Sequence, residues 1–153
     1  MIVTANHIQT ILNGSMHSLK TILPINIQFQ SPSLLKEPFH QKEMAVLVGL
    51  LGDFRGRVII DSTSSTFSQI AHMMCGMEVE GEMLESFTGE FGNMFAGNLS
   101  THVGSNEINL DITPPTVIVG NSKLFGFKKA FQLPTIVENI GQLTILFTID
   151  EEQ

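Results

Sequence analysis

The sequence predicts an α+β fold: one mixed or antiparallel β-sheet with two long helices packed on a face, related by a pseudo-two-fold repeat. Three observations carry this. Two long stretches show helical periodicity, alternating runs come in adjacent pairs, and the order of elements is not strict βαβ. With 153 residues and 16.8 kDa, the chain suits one domain spanning residues 1–153, and no low-complexity linker divides it.

In residues 2–23, Ile8, Ile11, Leu12, Leu19, Ile22 and Leu23 recur at helical spacings and form a core-facing stripe. Pro24 stops that helix. Ile25, Ile27 and Phe29 alternate with polar residues as a half-buried strand. Glu43–Leu51 and Arg57–Asp61 are β-rich runs around Gly52-Asp53-Phe54-Arg55-Gly56, which reads as a hairpin. Ser62 to Ser65 offers N-caps for a helix through Phe67, Ile70, Met73 and Met74, closed by Gly76. A further helix starts near Gly81 and runs to about His102. Ile108, Leu110 and Ile112 alternate as a strand; Pro114-Pro115 interrupts it and Thr116–Val119 resumes it. Two late strands lie near 128–133 and 142–149, and residues 151–153 read as a solvated tail. An 83-residue shift lays Ile25-Asn26-Ile27 on Ile108-Asn109-Leu110 and Gly14 on Gly97. The shift makes each half a helix followed by strands.

Composition excludes several classes of function. Eight basic and fifteen acidic residues give a net charge of −7, which leaves no cationic footprint for nucleic acid or an anionic membrane. With 42% hydrophobic and 15% charged residues the chain is not disordered, and part of its surface is free to be apolar and meet a partner. No apolar run approaches the ~20 residues of a membrane span. The start lacks the basic and apolar regions of a signal peptide. One cysteine cannot form an internal disulfide, so a cytoplasmic location is expected. His7, His17, His40, His72 and His102 include no pair at helical metal-ligand spacing, and Cys75 has no partner cysteine; no metal site is expected. His72 and Cys75 read as core or its edge rather than as base and nucleophile. No Gly-Lys-Ser/Thr phosphate loop occurs.

One helix does not read as plain core. Leu84, Phe87, Phe91, Met94 and Phe95 gather on one face, which is core. Ser86, Glu90, Asn93 and Gly97 gather on another, with Glu90 and Asn93 one turn apart and pointing the same way. Gly89, Gly92, Ala96, Gly97 and Ser100 flank them. Each glycine costs roughly 1 kcal/mol relative to alanine inside a helix. The small collar either lets a partner's backbone approach the two polar side chains or serves tight helix–sheet packing.

This pattern resembles the CheC/CheX/FliY family of chemotaxis phosphatases. Their motif is Asp or Ser, three residues, Glu, two residues, Asn, and a later proline; here Ser86, Glu90 and Asn93 stand at those spacings. Pro115 follows Asn93 after 21 residues, one short of the family count. The stretches Gly-Glu-Phe-Gly-Asn-Met-Phe-Ala-Gly-Asn and Pro-Pro-Thr-Val-Ile-Val-Gly also read like family segments. CheC-type members carry two motifs. In the first half, His7 and Thr10 occupy the shifted positions of Glu90 and Asn93, so the chain resembles the single-motif CheX type.

The resemblance implies a CheC-like fold and hydrolysis of the aspartyl phosphate of a CheY-type response regulator. It implies Glu90 and Asn93 as catalytic residues, with Ser86, Gly89, Gly97 and Pro115 as partner contacts. Asn93 would position the attacking water, since an amide donates and accepts hydrogen bonds at once. Glu90 would dock on the regulator's lysine. No cofactor of the chain's own is implied; Mg²⁺ belongs to the regulator. Family members also include flagellar-switch-like components, so a non-catalytic receiver-binding module is the alternative. A homodimer with sheets joined across subunits is implied as well, and Phe125, Phe127 and Phe131 suit either that contact or the monomer core.

Overall fold

The computed structural model describes residues 3–36, 38–127 and 129–150. Met1, Ile2, Glu37, Lys128 and the tail 151–153 lie outside the described residues.

The first helix, α1 (Ala5–Ile22), starts at Thr4, whose side chain accepts from His7 N while the His7 ring accepts from Thr4 N. This reciprocal box satisfies two otherwise orphaned donors. Two short strands follow, β1 (Ile27–Phe29) and β2 (Ser33–Leu35), and then β3 (Phe39–Gln41). The expected hairpin is β4 (Met44–Gly52) and β5 (Arg55–Ser62). Helix α2 (Ser64–Cys75) is capped by the Thr63 side chain and closed by Gly76 in the left-handed region, as the Ser/Thr run and the glycine predict. The longest helix is α3 (Gly81–Gly104). The chain ends with β6 (Leu110–Ile112), β7 (Thr116–Val119), β8 (Ser122–Leu124), β9 (Lys129–Val137) and β10 (Gly141–Asp150).

Eight strands form one antiparallel sheet in the order β1-β9-β10-β5-β4-β6, with β2 also on β9 and β7 also on β4. Each half of the chain thus lends its short strands to the other half's long one. The 83-residue offset carries the residues of β1 onto β6 and those of β3 onto β8.

Side chains alternate across this sheet. Met44, Val46, Val48, Val58, Ile60, Leu143, Ile145 and Phe147 meet the three helices in the main core. Ala45, Ile59, Ala130 and Leu146 point the other way, where the β3–β8 ribbon covers them with Phe39 and Leu124. The sequence reading does not include the strands β2, β3 and β8, because their residues stand in no alternating run.

The strand expected near 128–133 runs on to Val137, through Pro134. The carbonyl of Pro134 accepts from Gln30 N on the β1 side, so its missing N–H faces the same side. There β2 pairs with 130–132 and β1 with 135–137, so the proline sits in the gap and costs no ladder bond.

Helix α1 backs α3. Ser18 Oγ donates to Phe95 O at 2.8 Å. Gly14 leaves room for Leu99 and His102; a Cβ there would lie 2.8 Å from Leu99 Cδ1.

The seat of α3 on the sheet is closer still. A Cβ on Gly92 would lie 2.7 Å from Val46 Cγ1 and nearer to Cγ2. Val46 is fully buried and β-branched, so it cannot move aside. Gly97, by contrast, has nothing within 4 Å of such a Cβ. Gly92→Ala is therefore expected to destabilise by about 1–3 kcal/mol despite its better helix propensity. Gly97→Ala is expected to stabilise by up to about 1 kcal/mol. Urea denaturation midpoints of the two variants check the opposite signs.

Asp61 lies on the ribbon side of β5 and is almost fully buried. Burial pushes its pKa up from 3.8 to about 6. Its two oxygens accept from Lys42 N at 3.1 and 3.2 Å, which offsets the shift only in part. The folded chain holds this proton more tightly than the unfolded chain. The cost of ionising it is present in full above about pH 6 and fades as the pH falls toward about 4. Asp61→Asn is expected to be more stable than wild type by about 1–3 kcal/mol near pH 7.5 and by less than about 1 kcal/mol near pH 4, measured as the difference between urea curves.

Candidate functional site

The site is built on α3 by what that helix buries. Leu84, Phe91, Phe95 and Leu99 are in the main core. Phe91 packs against Phe67 of α2 edge-on, with centroids at 6.4 Å, and against Phe87 at 6.1 Å. These contacts fix the rotation of the helix. The opposite side then points outward: Ser86 and Glu90 are exposed, and Asn93 and Gly97 are half-buried. The structure brings together the four positions that helical spacing places on one face.

Their hydrogen bonding sets them apart. Thr88, Asn98, Ser100 and Thr101 of the same helix each donate to a backbone carbonyl. Among the described residues, the side chains of Ser86, Glu90 and Asn93 have no such partner. An exposed hydroxyl and carboxylate and a half-buried amide on one face are thus free to engage groups outside the chain.

Pro115 is brought to this helix across the fold. A Cβ on Gly89 would lie 3.9 Å from Pro115 Cγ and 3.3 Å from Val117 Cγ2. The segment after β6 therefore forms a wall beside the turn that carries Glu90 and Asn93.

The glycine collar divides, and this corrects one expectation. Gly89 and Gly92 are buried and face the chain's own β7 and β4, not a partner. Their missing side chains allow close helix–sheet approach. Gly97 alone of the three opens to the outside. The first-half counterparts of Glu90 and Asn93 serve their own helix: His7 closes the N-terminal box of α1, and Thr10 Oγ1 donates to Asn6 O. His72 and Cys75 are both exposed, beside Met73 and Met74, which pack against the main core. Among the described residues, no three His, Cys, Asp or Glu side chains group as metal ligands, and no helix is long and apolar enough to cross a membrane.

The electrostatics of the site are one-sided, and the signal was countable in the sequence. Between Arg57 and Lys123 there is no lysine or arginine. That interval holds all of α2, α3 and β7, and its Glu78, Glu80, Glu82, Glu85 and Glu90 are all exposed. Such a surface repels a free phosphate group. It suits a partner that brings its own positive charge to the contact. The chemistry the face offers is therefore orientation by a neutral amide and attraction by a carboxylate.

Comparison with known proteins agrees with this geometry. The family model described as "Chemotaxis phosphatase CheX" matches residues 44–138, which include α3 and the Pro115 segment. The CheY-P phosphatase CheX of Thermotoga maritima is 28% identical over 137 residues, 87% of this chain and 88% of that protein. The CheX–CheY–BeF3–Mg²⁺ complex of Borrelia burgdorferi matches with 27% identity and a TM-score of 0.78, over 94% of this chain and 97% of that one. A CheC-like superfamily protein from a Shewanella species shares the fold at 20% identity, with a TM-score of 0.80 over 97% and 99% of the two chains. With its CheC-like fold and the free acid–amide face of α3, the chain belongs to the chemotaxis phosphatase CheX family.

Proposed function

We propose that this protein is a phosphatase that hydrolyses the aspartyl phosphate of a CheY-type response regulator. The observation that carries the reading is the pair Glu90–Asn93: one turn apart, facing outward, and unbonded to their own chain. The T. maritima relative bears the name CheY-P phosphatase, and the B. burgdorferi relative is seen in complex with CheY. Both support the same reaction and partner here.

Phosphoryl transfer to water needs an in-line nucleophile and neutralisation of the charge on the phosphoryl oxygens. The regulator brings the phosphoaspartate, Mg²⁺ and a lysine. Asn93 supplies orientation: its carbonyl accepts a hydrogen bond from the water while its NH₂ donates to a phosphoryl oxygen. It is too weak a base to take the proton. Glu90, one turn away, pairs with the regulator's lysine and sets the register. Ser86 and Gly97 border the contact on α3, and Pro115 borders it from the β6–β7 segment. The exposed glutamates around the site add long-range attraction for a cationic rim. The enzyme would meet its substrate in the cytoplasm.

Assembly is a homodimer in this reading. Phe125 is 75% exposed after β8, and Leu34 of the apolar strand β2 is 47% exposed. Phe127 packs on the ribbon-side core instead, so only Phe125 of that pair is spare for a partner subunit.

Three expected outcomes test these proposals. In phosphate-release assays with a phosphorylated CheY-type regulator and Mg²⁺, Asn93→Ala is expected to lower kcat about 10²-fold while binding persists. Glu90→Ala is expected to weaken binding by about 1.5–3 kcal/mol. Failure of wild type to outpace the regulator's own hydrolysis would leave the non-catalytic receiver-binding module as the correct reading. In sedimentation velocity, Phe125→Ser is expected to shift a dimeric wild type toward monomer; an unchanged profile rejects that interface.

A further inference from the structure

Between β6 and β7 the chain bulges against β4. Leu50 pairs with Ile112, and Leu47 with Thr116. Two residues of β4, Val48 and Gly49, therefore face three on the other side: Thr113, Pro114 and Pro115. Neither proline has an N–H to give.

Gly49 is satisfied nonetheless, and by one residue. Its carbonyl accepts from Thr113 N at 3.0 Å. Its N–H donates to Thr113 Oγ1 at 2.8 Å, and that hydroxyl donates onward to Pro114 O at 3.2 Å. The Thr113 hydroxyl stands where a strand carbonyl would be. Only a glycine at 49 admits it, because a Cβ there would lie 2.8 Å from Thr113 Cγ2. Two residues on, Pro115 rests beside Gly89, in the turn of α3 that leads to Glu90 and Asn93.

We infer that Thr113 is a positioning residue for this site: its hydroxyl holds the bulge in register, seats Pro115 against Gly89, and so fixes the wall beside the Asn93 amide. The inference rests on the phosphatase reading for its consequence, though not for its geometry. Without the hydroxyl, the Gly49 N–H loses its acceptor. The bulge then relaxes and the wall shifts. A displacement of that kind acts on orientation, and hence on kcat more than on KM.

Thr113→Val keeps the shape and removes the hydroxyl, while Thr113→Ser keeps the hydroxyl. Two readouts separate the outcomes. In phosphate release from a phosphorylated CheY-type regulator with Mg²⁺, Thr113→Val is expected to lower kcat about 10-fold with KM changed less than about 3-fold, and Thr113→Ser to stay within about 2-fold of wild type. In ¹H–¹⁵N spectra of the protein alone, the backbone amides of Gly89 and Glu90 and the Asn93 side-chain amide are expected to move in Thr113→Val and to return in Thr113→Ser. Gly49→Ala, which crowds the same bulge from β4, provides a second route should Thr113→Val not fold. Unmoved α3 resonances, or equal losses in the Val and Ser variants, overturn the positioning role. An inactive wild type overturns the phosphatase reading instead, and the spectra alone then decide the role of Thr113.

Discussion

The close seat of α3 on β4 is the constraint on which the rest depends. Gly92 presses on a buried Val46 whose β-branched side chain has restricted freedom to turn aside. That contact fixes how near the helix lies to the sheet. The Phe67–Phe91–Phe87 stack fixes its rotation. With distance and rotation both set, the outward face has one composition: Ser86, Glu90, Asn93 and Gly97. Helix α1 strengthens the arrangement from behind, through the Ser18 bond to Phe95 O and the notch left by Gly14. A glycine-rich helix is intrinsically weak; here tertiary packing compensates for the propensity it lacks.

The chemistry on that face is sparse, and the charge pattern says why. A surface with no lysine or arginine from residue 58 to residue 122 cannot stabilise a phosphoryl group by itself. In the proposed reaction the charge-neutralising groups all come with the substrate protein. The enzyme contributes one oriented amide and one docking carboxylate. The division of labour explains why a single helical turn suffices, and why the side chains concerned are left unbonded by their own chain until the partner arrives. It also explains the contrast with α1, where the corresponding positions hold a cap and a back-bonded threonine and so have nothing to offer a partner.

The same fold shows how proline can serve a sheet. Pro134 stands inside β9 at the gap between β1 and β2, where no donor is required. Pro114 and Pro115 stand in a bulge, where Thr113 donates and accepts in their place. Both positions look like strand breaks in the sequence. One is a continuous strand and the other is an architectural element of the site. The distinction lies in which neighbouring strands face each carbonyl, a relation between residues far apart in the chain.

The sequence by itself determined what is local. Helical spacing put Glu90 and Asn93 side by side, alternation marked the long strands, and the caps at Thr63 and Gly76 followed from residue type, because each depends on groups within a few residues of one another. The motif's likeness to a known family could be read from the same short stretch. Only the tertiary structure decided which way Gly89 and Gly92 face, since the core side of a helix is chosen by the sheet beneath it. It alone brought Pro115 to α3, formed three-residue strands that carry no period of their own, and buried Asp61 beneath a ribbon built from both halves of the chain. Those are outcomes of packing between distant segments, and a side chain's neighbours across a fold are not encoded in its neighbours along the chain.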